Sequence, residues 1–438
     1  MFKMLKNALA VKEIRTRLLF TLGMLVVIRF GSMLPVPGTD ASVVATLMNT
    51  TDGIFGFFNS ITGGSFESFS IFALSITPYI TSSIIIQLLT IAIPRLEELH
   101  KEGEEGRRKL AEYTRYLTVV LALIEAVAMA IGFGRQGLLT HYTWYNVIVV
   151  VIALTAGSAV LMWIGERITE SGVGNGISIV LLINILSRIP SDMSVIYERF
   201  MKGKNTAMQF ITVIITAVII IAIVAFVVVL NDAVRRIPVQ YAQKMQGRRS
   251  YGGRGSHIPL KVNTAGVIPV IFASSLLTFP LVIAQFFNVD YASVGGRILL
   301  CLNSSNWCRI GAPWYYNIGL IVYIALIILF AYYYTYITFN PLEIANNLKK
   351  QGGFIPGMRP GKPTSDYLQK VLRYIIFIGA CGLTIACVLP ILITGLLSMS
   401  RLSFTGTSMI IVVGVVLETL KAVESMMMVR NYKGFLNN

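Results

Sequence analysis

The stretch NDAVRRIPVQYAQKMQGRRSYGGRGSHIPLKVN, Asn231–Asn263, lies between two strongly apolar runs, Ala207–Leu230 and Thr264–Phe287. It holds seven Lys and Arg residues and a single acidic residue, Asp232. A basic connection between two membrane spans normally lies on the cytoplasmic side. This connection is longer and more basic than orientation alone requires, so we expect an anionic partner to dock on it.

The composition places the whole chain among integral membrane proteins. Of its 438 residues, 55% are hydrophobic and only 13% are charged, and the mean hydropathy is +0.70. A soluble protein of this size needs a far larger charged surface. Most of the basic residues behind the net charge of +16 lie in connections, where they set topology and face anionic lipid or partners.

Ten runs have the roughly 20 mostly apolar residues that a helical span requires. Each ends in helix breakers or charges, and the second stops at Pro94, before RLEELHKEGEEGRRK. The sequence therefore predicts an all-α integral membrane protein with ten transmembrane helices, at Leu18–Leu34, Ile71–Ile93, Tyr116–Phe133, Asn146–Gly165, Val173–Ile189, Ala207–Leu230, Thr264–Phe287, Trp314–Phe339, Val371–Leu397 and Leu402–Val429.

The distribution of charge predicts that both termini are cytoplasmic. With the N-terminus inside, the inner segments carry most of the Lys and Arg, and the basic outer connection Pro190–Lys204 is the main exception. Five plus five spans predict two inverted five-helix halves, residues 1–203 and 204–438, related by a pseudo-two-fold axis in the membrane plane. The second half then carries two large cytoplasmic loops, residues 231–263 and 340–370.

The segment after the first span is too polar to be an ordinary span. It ends in FGFFNSITGGSFESFSIFALSITPYITSS, with a break at Gly63-Gly64 and one or two helical turns expected at Ser65–Phe72, capped by Ser65. A half-helix at membrane depth is tolerated only inside protein or against a water-filled cavity, so this reading predicts a funnel or pore. An ordinary outer loop with a short surface helix explains the same residues about as well.

The sequence contains no HExxH, paired-aspartate or GxSxG motif, and its three histidines lie in connections. These absences argue against an enzyme, and we expect no cofactor and no metal. Gly172, Gly174 and Gly176 precede a membrane helix, where a tight interfacial turn is expected rather than a phosphate-binding loop.

Ionisable groups inside the spans are few, which weakens the alternative of a secondary transporter with an inverted repeat but leaves it open. Arg29, near the outer end of the first span, can snorkel to the interface. Glu125 is the one isolated acid deep in a span. It fits either a coupling or gate residue, or a structural hydrogen bond to Ser or Thr on a neighbouring helix.

Cys381 and Cys387 lie in an apolar run and are expected to be packing residues. Cys301 and Cys308 share a polar outer loop. A disulfide between them is possible, although the sequence does not determine their separation.

Six stretches together resemble one known family: FESFSIFALSITPYITSSIIIQLLT, EGRRKLAEYTRY, GNGISI, QGRRSYGGRGSHIPLKVNTAGVIPVIFASS, FNPLEIANNLKKQGGFIPGMRPGKPT and TGTSMIIVV. They are similar to bacterial SecY, the channel subunit of the Sec protein-translocation machinery. The resemblance implies a channel that passes unfolded secretory polypeptides across the cytoplasmic membrane, or releases apolar segments sideways into lipid.

The resemblance also implies a pore ring and a plug. A ring of aliphatic side chains dewets when narrow, and it neither binds nor hydrogen-bonds a passing chain. By the family's motifs the ring positions are Ile76, Ile80, Leu181, Ile271 and Ile411, although plain helix packing would otherwise explain each of them. The plug, a short re-entrant helix at about residues 63–72, would comprise Gly63, Gly64, Ser65, Phe66, Glu67, Ser68 and Phe69.

The lateral gate implied by the resemblance lies between the second and seventh spans, with a weak polar seam. Its residues would be Thr81, Ser82 and Gln87 on the second span, Ser274, Ser275 and Thr278 on the seventh, and Glu125 facing the seam. Because the loop Asn231–Asn263 leads directly into the seventh span, a partner that pulls on this loop would pull on the gate.

The two large inner loops match the family's docking sites for the SecA motor and the translating ribosome. Their candidate contacts to carboxylates or ribosomal RNA phosphates are Arg248, Arg249, Lys349, Lys350, Arg359 and Lys362. Lipid contact and orientation also explain Lys349 and Lys350. The other implied partners are the small membrane subunits SecE and SecG, signal peptides, nascent chains and anionic lipid, all at the bacterial cytoplasmic membrane.

Overall fold

The structure, a computed structural model, describes residues 9–50, 59, 61–198, 206–241, 244–246, 249–251, 256–284, 293–309, 311, 313–396 and 406–436. These residues are mostly helical, and a helix lies at each of the ten predicted spans: α1 (Lys12–Gly31), α3 (Thr77–Ala92), α5 (Glu104–Phe133), α6 (Trp144–Ser171), α7 (Gly176–Ile196), α8 (Thr206–Asp232), α9 (Ile268–Ala284), α11 (Asn317–Thr338), α13 (Lys362–Leu396) and α14 (Gly406–Leu436). Four shorter helices connect them: α2 (Ala41–Thr50), α4 (Pro94–Lys101), α10 (Val294–Leu302) and α12 (Pro341–Lys350).

In the described part of the chain, six helices are long and apolar enough to cross a membrane, or seven if α3 and α4 count as one bent span. The bend between α3 and α4 is 100°. Ile93, between the two helices, is extended with φ −113° and ψ 112°, because the ring of Pro94 disfavours helical backbone in the preceding residue. The second span therefore ends at the proline, as predicted.

Several helices run beyond their predicted bounds. The fifth span was predicted to end at Ile189, but α7 continues through Pro190 to Ile196. The ninth was predicted to begin at Val371, but α13 begins at Lys362. The length of an apolar run gives only the part of a helix that must lie in lipid. The helix itself can extend past that part into polar sequence.

The chain divides into two compact units. The first comprises Met1–Thr216, Ser275–Leu320 and Pro390–Asn438, and the second comprises Ala217–Ser274 and Ile321–Leu389. The predicted inverted halves, divided near residue 203, stay a prediction.

In the first unit, α5 packs against α3 and α6, and α7 packs against α6 and α14. One apolar cluster of this unit joins Phe66 and Phe69 to Ala126 of α5 and Leu154 of α6. A Cβ on Gly157 of α6 would lie 2.0 Å from the carbonyl oxygen of Ile71. Helix α6 and the backbone near residue 71 therefore touch directly, and only glycine fits at this contact.

The second unit contains a small β-sheet that the all-α prediction missed. Strand β1 (Val234–Tyr241) pairs antiparallel with β4 (Ser256–Lys261), with Ile237 opposite Ile258, and with β5 (Gly353–Phe354) on its other side. Strands β2 (Lys244–Gln246) and β3 (Arg249–Tyr251) form a separate two-stranded sheet. The two large loops that were predicted to be cytoplasmic thus form one folded module.

The module has its own apolar core. Ile237 and Val239 alternate with exposed residues along β1, as the two-residue period of a strand requires, and they are buried with Leu348 of α12 and Leu368 of α13. A search for spans of about 20 apolar residues cannot detect so short an alternating pattern. Gly252, Gly253 and Gly255, whose clustering in the sequence predicts a flexible loop tip, lie outside the described residues.

Candidate functional site

Residues 63–76, which we name the turn segment, cross the first unit without forming a helix. The prediction of helix at Ser65–Phe72 was wrong. Gly63 and Gly64 have φ of 68° and 86°, and Phe69 and Ser75 have φ of 41° and 54°, all outside the right-handed helical region. Two non-glycine residues with positive φ are a local strain that the surrounding contacts must hold in place.

Neighbouring backbone explains why the turn segment is not helical. The Ile71 N–H donates to the Leu34 carbonyl oxygen at 2.9 Å, and the Val36 N–H donates to the Phe69 carbonyl oxygen at 3.1 Å. These bonds use groups that a helix would pair internally. The extended residues just after α1 therefore hold the C-terminal part of the segment.

The turn segment approaches α7 closely at Gly63. A Cβ at this position would lie 2.8 Å from the Cα and the carbonyl oxygen of Asn184 and 2.9 Å from the Ser187 Oγ. A Cβ on Gly64 would meet its nearest neighbour, Nη1 of Arg188, at 3.4 Å. Of these two glycines, Gly63 alone is required by the packing against α7.

Arg29 of α1 is bound to the turn segment. Its Nη1 donates to the Gly63 carbonyl oxygen at 3.1 Å, to the Ser187 Oγ at 3.1 Å and to the Ser32 Oγ at 3.2 Å. The Ser187 Oγ–H also contacts the Gly63 carbonyl oxygen at 3.1 Å. Arg29 was expected to snorkel toward the interface; instead its guanidinium bridges α1, the turn segment and α7.

Glu67 forms the one ion pair of the turn segment within the described residues. Its Oε2 lies 2.8 Å from Nη1 of Arg188 and accepts from the Asn59 Nδ2 at 3.0 Å. The Glu67 side chain is 45% exposed, whereas that of Arg188 is 16% exposed. The carboxylate is therefore partly exposed, while the guanidinium that it pairs with is mostly buried.

One face of α7 makes these contacts. Asn184 Nδ2 donates to the Ser75 Oγ at 3.0 Å, and Arg188 follows Asn184 by four residues. Leu181 precedes Asn184 by three residues, so Leu181, Asn184 and Arg188 lie on the same side of the helix. Sequence reasoning missed Asn184 and Ser187 and assigned Arg188 only to the outer charge count. Asn184, Ser187 and Arg188 are spaced at i, i+3 and i+4, and this helical spacing of polar residues was the available signal.

The expected ring positions are apolar and mostly buried. Ile76, Ile80, Leu181 and Ile411 lie in the first unit and are each 8% exposed or less. Ile271, in the second unit, is half-buried. A Cβ on Gly165 would lie 3.6 Å from the Ile76 Cδ1, which places Ile76 against α6. The ring itself stays a prediction.

Two of the expected gate hydroxyls on α3 bond to their own helix. Thr81 Oγ1 donates to the Thr77 carbonyl oxygen at 3.1 Å, and Ser82 Oγ donates to the Pro78 carbonyl oxygen at 2.8 Å. Gln87 Nε2 donates to the Ser83 Oγ at 3.3 Å, also within α3. These bonds do not depend on a second helix.

The expected gate residues of α9 fall in both units. Ser274 is buried in the second unit, where its Oγ lies 3.5 Å from the hydroxyl of Tyr323 on α11. Ser275 and Thr278 lie in the part of α9 that belongs to the first unit.

Glu125 is buried in α5, and its Oε2 has no hydrogen-bond partner among the residues the structure describes. The alternative of a structural bond to a neighbouring Ser or Thr therefore gains no support from this oxygen. The role of Glu125 at the gate stays a prediction.

Four of the expected docking residues, Lys349, Lys350, Arg359 and Lys362, are exposed. Lys349 and Lys350 form the last turn of α12, where positive charge suits the helix dipole. Arg359 lies between Gly357 and Gly361, whose φ angles of 84° and 107° shape an exposed turn. Lys362 begins α13. Arg249 is in β3, and Arg248 lies outside the described residues.

Cys301 and Cys308 are free thiols in the structure. Burial raises the pKa of both thiols above the ordinary value. The loop that carries them is compact, because the buried Trp307 donates from Nε1 to the Cys301 carbonyl oxygen at 2.7 Å.

Long apolar helices with a buried, polar, non-helical segment among them define a multi-pass membrane protein of the channel class. The SecY family model matches residues 70–420, and the SecY translocase subunit of Bacillus licheniformis is 44% identical over 448 residues, covering all of both chains. The chain belongs to the SecY family.

Two solved structures share the fold. One is a structure of SecY, whose plug domain stabilises the closed state of that translocation channel and maintains a membrane seal. Its TM-score is 0.63 at 19% identity, and 94% of this chain and 92% of that chain are covered. The other is canine Sec61 in a ribosome–channel complex, with a TM-score of 0.59 at 18% identity and the same coverage. As a member of the SecY family, the protein is a protein-translocation channel and not an enzyme.

Proposed function

We propose that this channel passes unfolded secretory polypeptides across the bacterial cytoplasmic membrane and releases apolar segments sideways into it, with the turn segment as its plug. The observation that carries the proposal is the turn segment itself. It is polar and glycine-broken, yet Ser65, Phe66, Phe69 and Ser70 are buried among apolar helices. Non-helical backbone at membrane depth is tolerated only inside protein or along a water-filled cavity.

Burial of the ring positions supports the rest of the conduit. Ile76, Ile80, Leu181, Ile271 and Ile411 are our proposed pore ring. Aliphatic side chains offer no hydrogen bond to a passing chain, so the ring can take almost any sequence. It also excludes ions while it is narrow.

The bonding of the α3 hydroxyls supports a lateral gate beside this helix. Thr81 and Ser82 satisfy their donors on α3 itself, so moving α3 away from a neighbour breaks neither bond. Hydrogen bonds between membrane helices are worth only about 1–2 kcal/mol or less. A gate built with few of them can open for an apolar segment.

The exposed basic module supports docking of cytoplasmic partners. We propose that Arg359, with Lys349, Lys350 and Lys362, binds the SecA motor or the ribosome, and that both termini lie on the same cytoplasmic side. The ribosome complex of the canine relative supports the second partner. SecE, SecG and anionic lipid complete the proposed assembly.

Deletion of residues 63–69 tests the plug. The channel with its membrane subunits is reconstituted in liposomes, and ion leak is compared with the wild type. We expect a large leak with protein translocation retained. A deletion channel as tight as the wild type contradicts the proposed plug.

Charge reversal tests docking. Arg359→Glu is expected to abolish SecA-driven export while the protein still inserts into the membrane. The control is Arg135→Glu, at an exposed position on the predicted outer side. Normal SecA-driven export by the Arg359→Glu channel would remove Arg359 from the docking site.

A further inference from the structure

We propose that Arg188 and Arg29 are positioning residues for the plug, and that the channel opens by releasing the ion pair between Arg188 and Glu67. This inference rests on the proposed function of the turn segment as the plug. It names the contacts that determine how readily the segment leaves its seat.

The turn segment is held from two helices by side chains distant in sequence. Arg188 on α7 and Glu67 are 121 residues apart in the chain, and Arg29 on α1 and Gly63 are 34 apart. A contact of this kind exists only while the segment is seated. Displacement of the segment, or separation of α1 from α7, breaks it.

The Gly63 carbonyl oxygen is the first anchor. It is 3.1 Å from Arg29 Nη1 and 3.1 Å from the Ser187 Oγ, so α1 and α7 both bind one backbone atom of the plug. A buried carbonyl without a donor is costly. Arg29 therefore stabilises the seated backbone and lowers the free energy of the closed channel.

The Glu67 carboxylate is the second anchor and the weaker one. Its pairing with Arg188 is short, at 2.8 Å, but almost half of the Glu67 side chain is exposed, so water competes with the guanidinium. Such a pair is reversible. It is suited to a seal that must hold while the channel is idle and release when a chain enters.

The position of Arg188 links the seal to the conduit. Leu181, a proposed ring residue, lies on the same face of α7 seven residues before Arg188. A movement of α7 that widens the ring at Leu181 also moves Arg188 relative to Glu67. The Arg188–Glu67 ion pair, which we name the latch, and the ring at Leu181 are then released by one displacement.

The experiment measures the fraction of time that single channels are open in planar bilayers, using the complete membrane complex. Glu67→Gln and Arg188→Gln each remove the charge pair, and we expect each to raise the open fraction about 1.5-fold to fivefold. The swapped double variant, Glu67→Arg with Arg188→Glu, is expected to return toward the wild-type value. Glu170→Gln is the matched control, because it breaks the exposed Arg167–Glu170 pair elsewhere in the first unit.

The dependence of the open fraction on ionic strength distinguishes an electrostatic role of the ion pair from a merely structural one. Raising salt from 0.1 M to 1 M shortens the Debye length from about 10 Å to about 3 Å. The open fraction of the wild type is expected to rise with salt, and that of Glu67→Gln to stay constant. Equal salt dependence in both channels contradicts the latch.

Arg29 is tested separately. Arg29→Met removes the donor to the Gly63 carbonyl oxygen and is expected to raise the open fraction, whereas Arg29→Lys, which keeps a charged donor, is expected to restore part of the closure. An Arg29→Met channel that closes like the wild type contradicts the first anchor.

The outcomes separate the latch from the plug. A channel that leaks after deletion of residues 63–69, but closes normally with Glu67→Gln, keeps the plug and refutes the latch. The latch is also refuted if the swapped double variant leaks as much as the single variants. If the deletion itself causes no leak, both proposals fail.

Discussion

Substitution of Gly63 by alanine should unseat the turn segment, and its neighbour Gly64 provides the control. Both glycines have positive φ, at 68° and 86°, so a Cβ strains the backbone at either position. At Gly63 the new methyl group also falls 2.8 Å from the backbone of Asn184 on α7, closer than real Cβ atoms are found. At Gly64 its nearest neighbour is the end of the Arg188 side chain at 3.4 Å, which can move.

The magnitudes follow from these two terms. Left-handed backbone costs a residue with a Cβ about 1–2 kcal/mol, and forcing a methyl group into filled space costs about 1–3 kcal/mol more. Gly64→Ala should therefore disfavour the seated segment by about 1–2 kcal/mol and Gly63→Ala by about 2–5 kcal/mol. Because about 1.4 kcal/mol is a factor of ten, the closed-to-open ratio should fall about 5- to 30-fold and about 30- to 3000-fold, respectively.

The assay is the single-channel open fraction, with thermal unfolding of the same preparations as a check that the helices remain folded. The open fraction should increase from the wild type to Gly64→Ala and again to Gly63→Ala. If Gly64→Ala opens the channel as much as Gly63→Ala, the close approach to α7 does not seat the segment. If neither variant changes the open fraction, the reasoning from both terms is refuted.

Two further predictions concern the rest of the chain. Leu368→Ala should destabilise the folded module by about 2–5 kcal/mol, because Leu368 is fully buried in its core. Leu342 is exposed, so Leu342→Ala should change the midpoint of thermal unfolding little. Equal shifts of the midpoint in the two variants would contradict the core assignment. Since burial raises the pKa of Cys301 and Cys308, less thiolate is present at a given pH, and maleimide labelling should begin at higher pH than for free cysteine. Labelling that begins below the pH for free cysteine would show that these thiols are not shielded.

The helices of this protein were predictable because the signal for a membrane span is local. About 20 consecutive apolar residues suffice, and lipid imposes this requirement on each span separately. Helix ends were less predictable. Residues 190–196 continue α7 beyond Pro190, although that proline looked like a boundary.

A search of the sequence for helical spans could not find the folded module with its β-sheet. Its strands are short, and β5 pairs with β1 across more than a hundred residues of chain. Only the charge of the connection was visible in advance. The structure adds that Arg359 is an exposed residue beside a folded module with its own core.

The sequence by itself predicted a membrane protein with ten spans, located its basic connections, and placed a polar segment with two glycines after the first span. The tertiary structure decided that this segment forms turns and that Arg29, Arg188 and Glu67 meet around it. The physical reason is the distance along the chain over which each interaction acts. Hydropathy acts on neighbouring residues, whereas the Leu34 carbonyl oxygen, the Val36 N–H and side chains from α1 and α7 reach residues 63–76 only when the helices are packed.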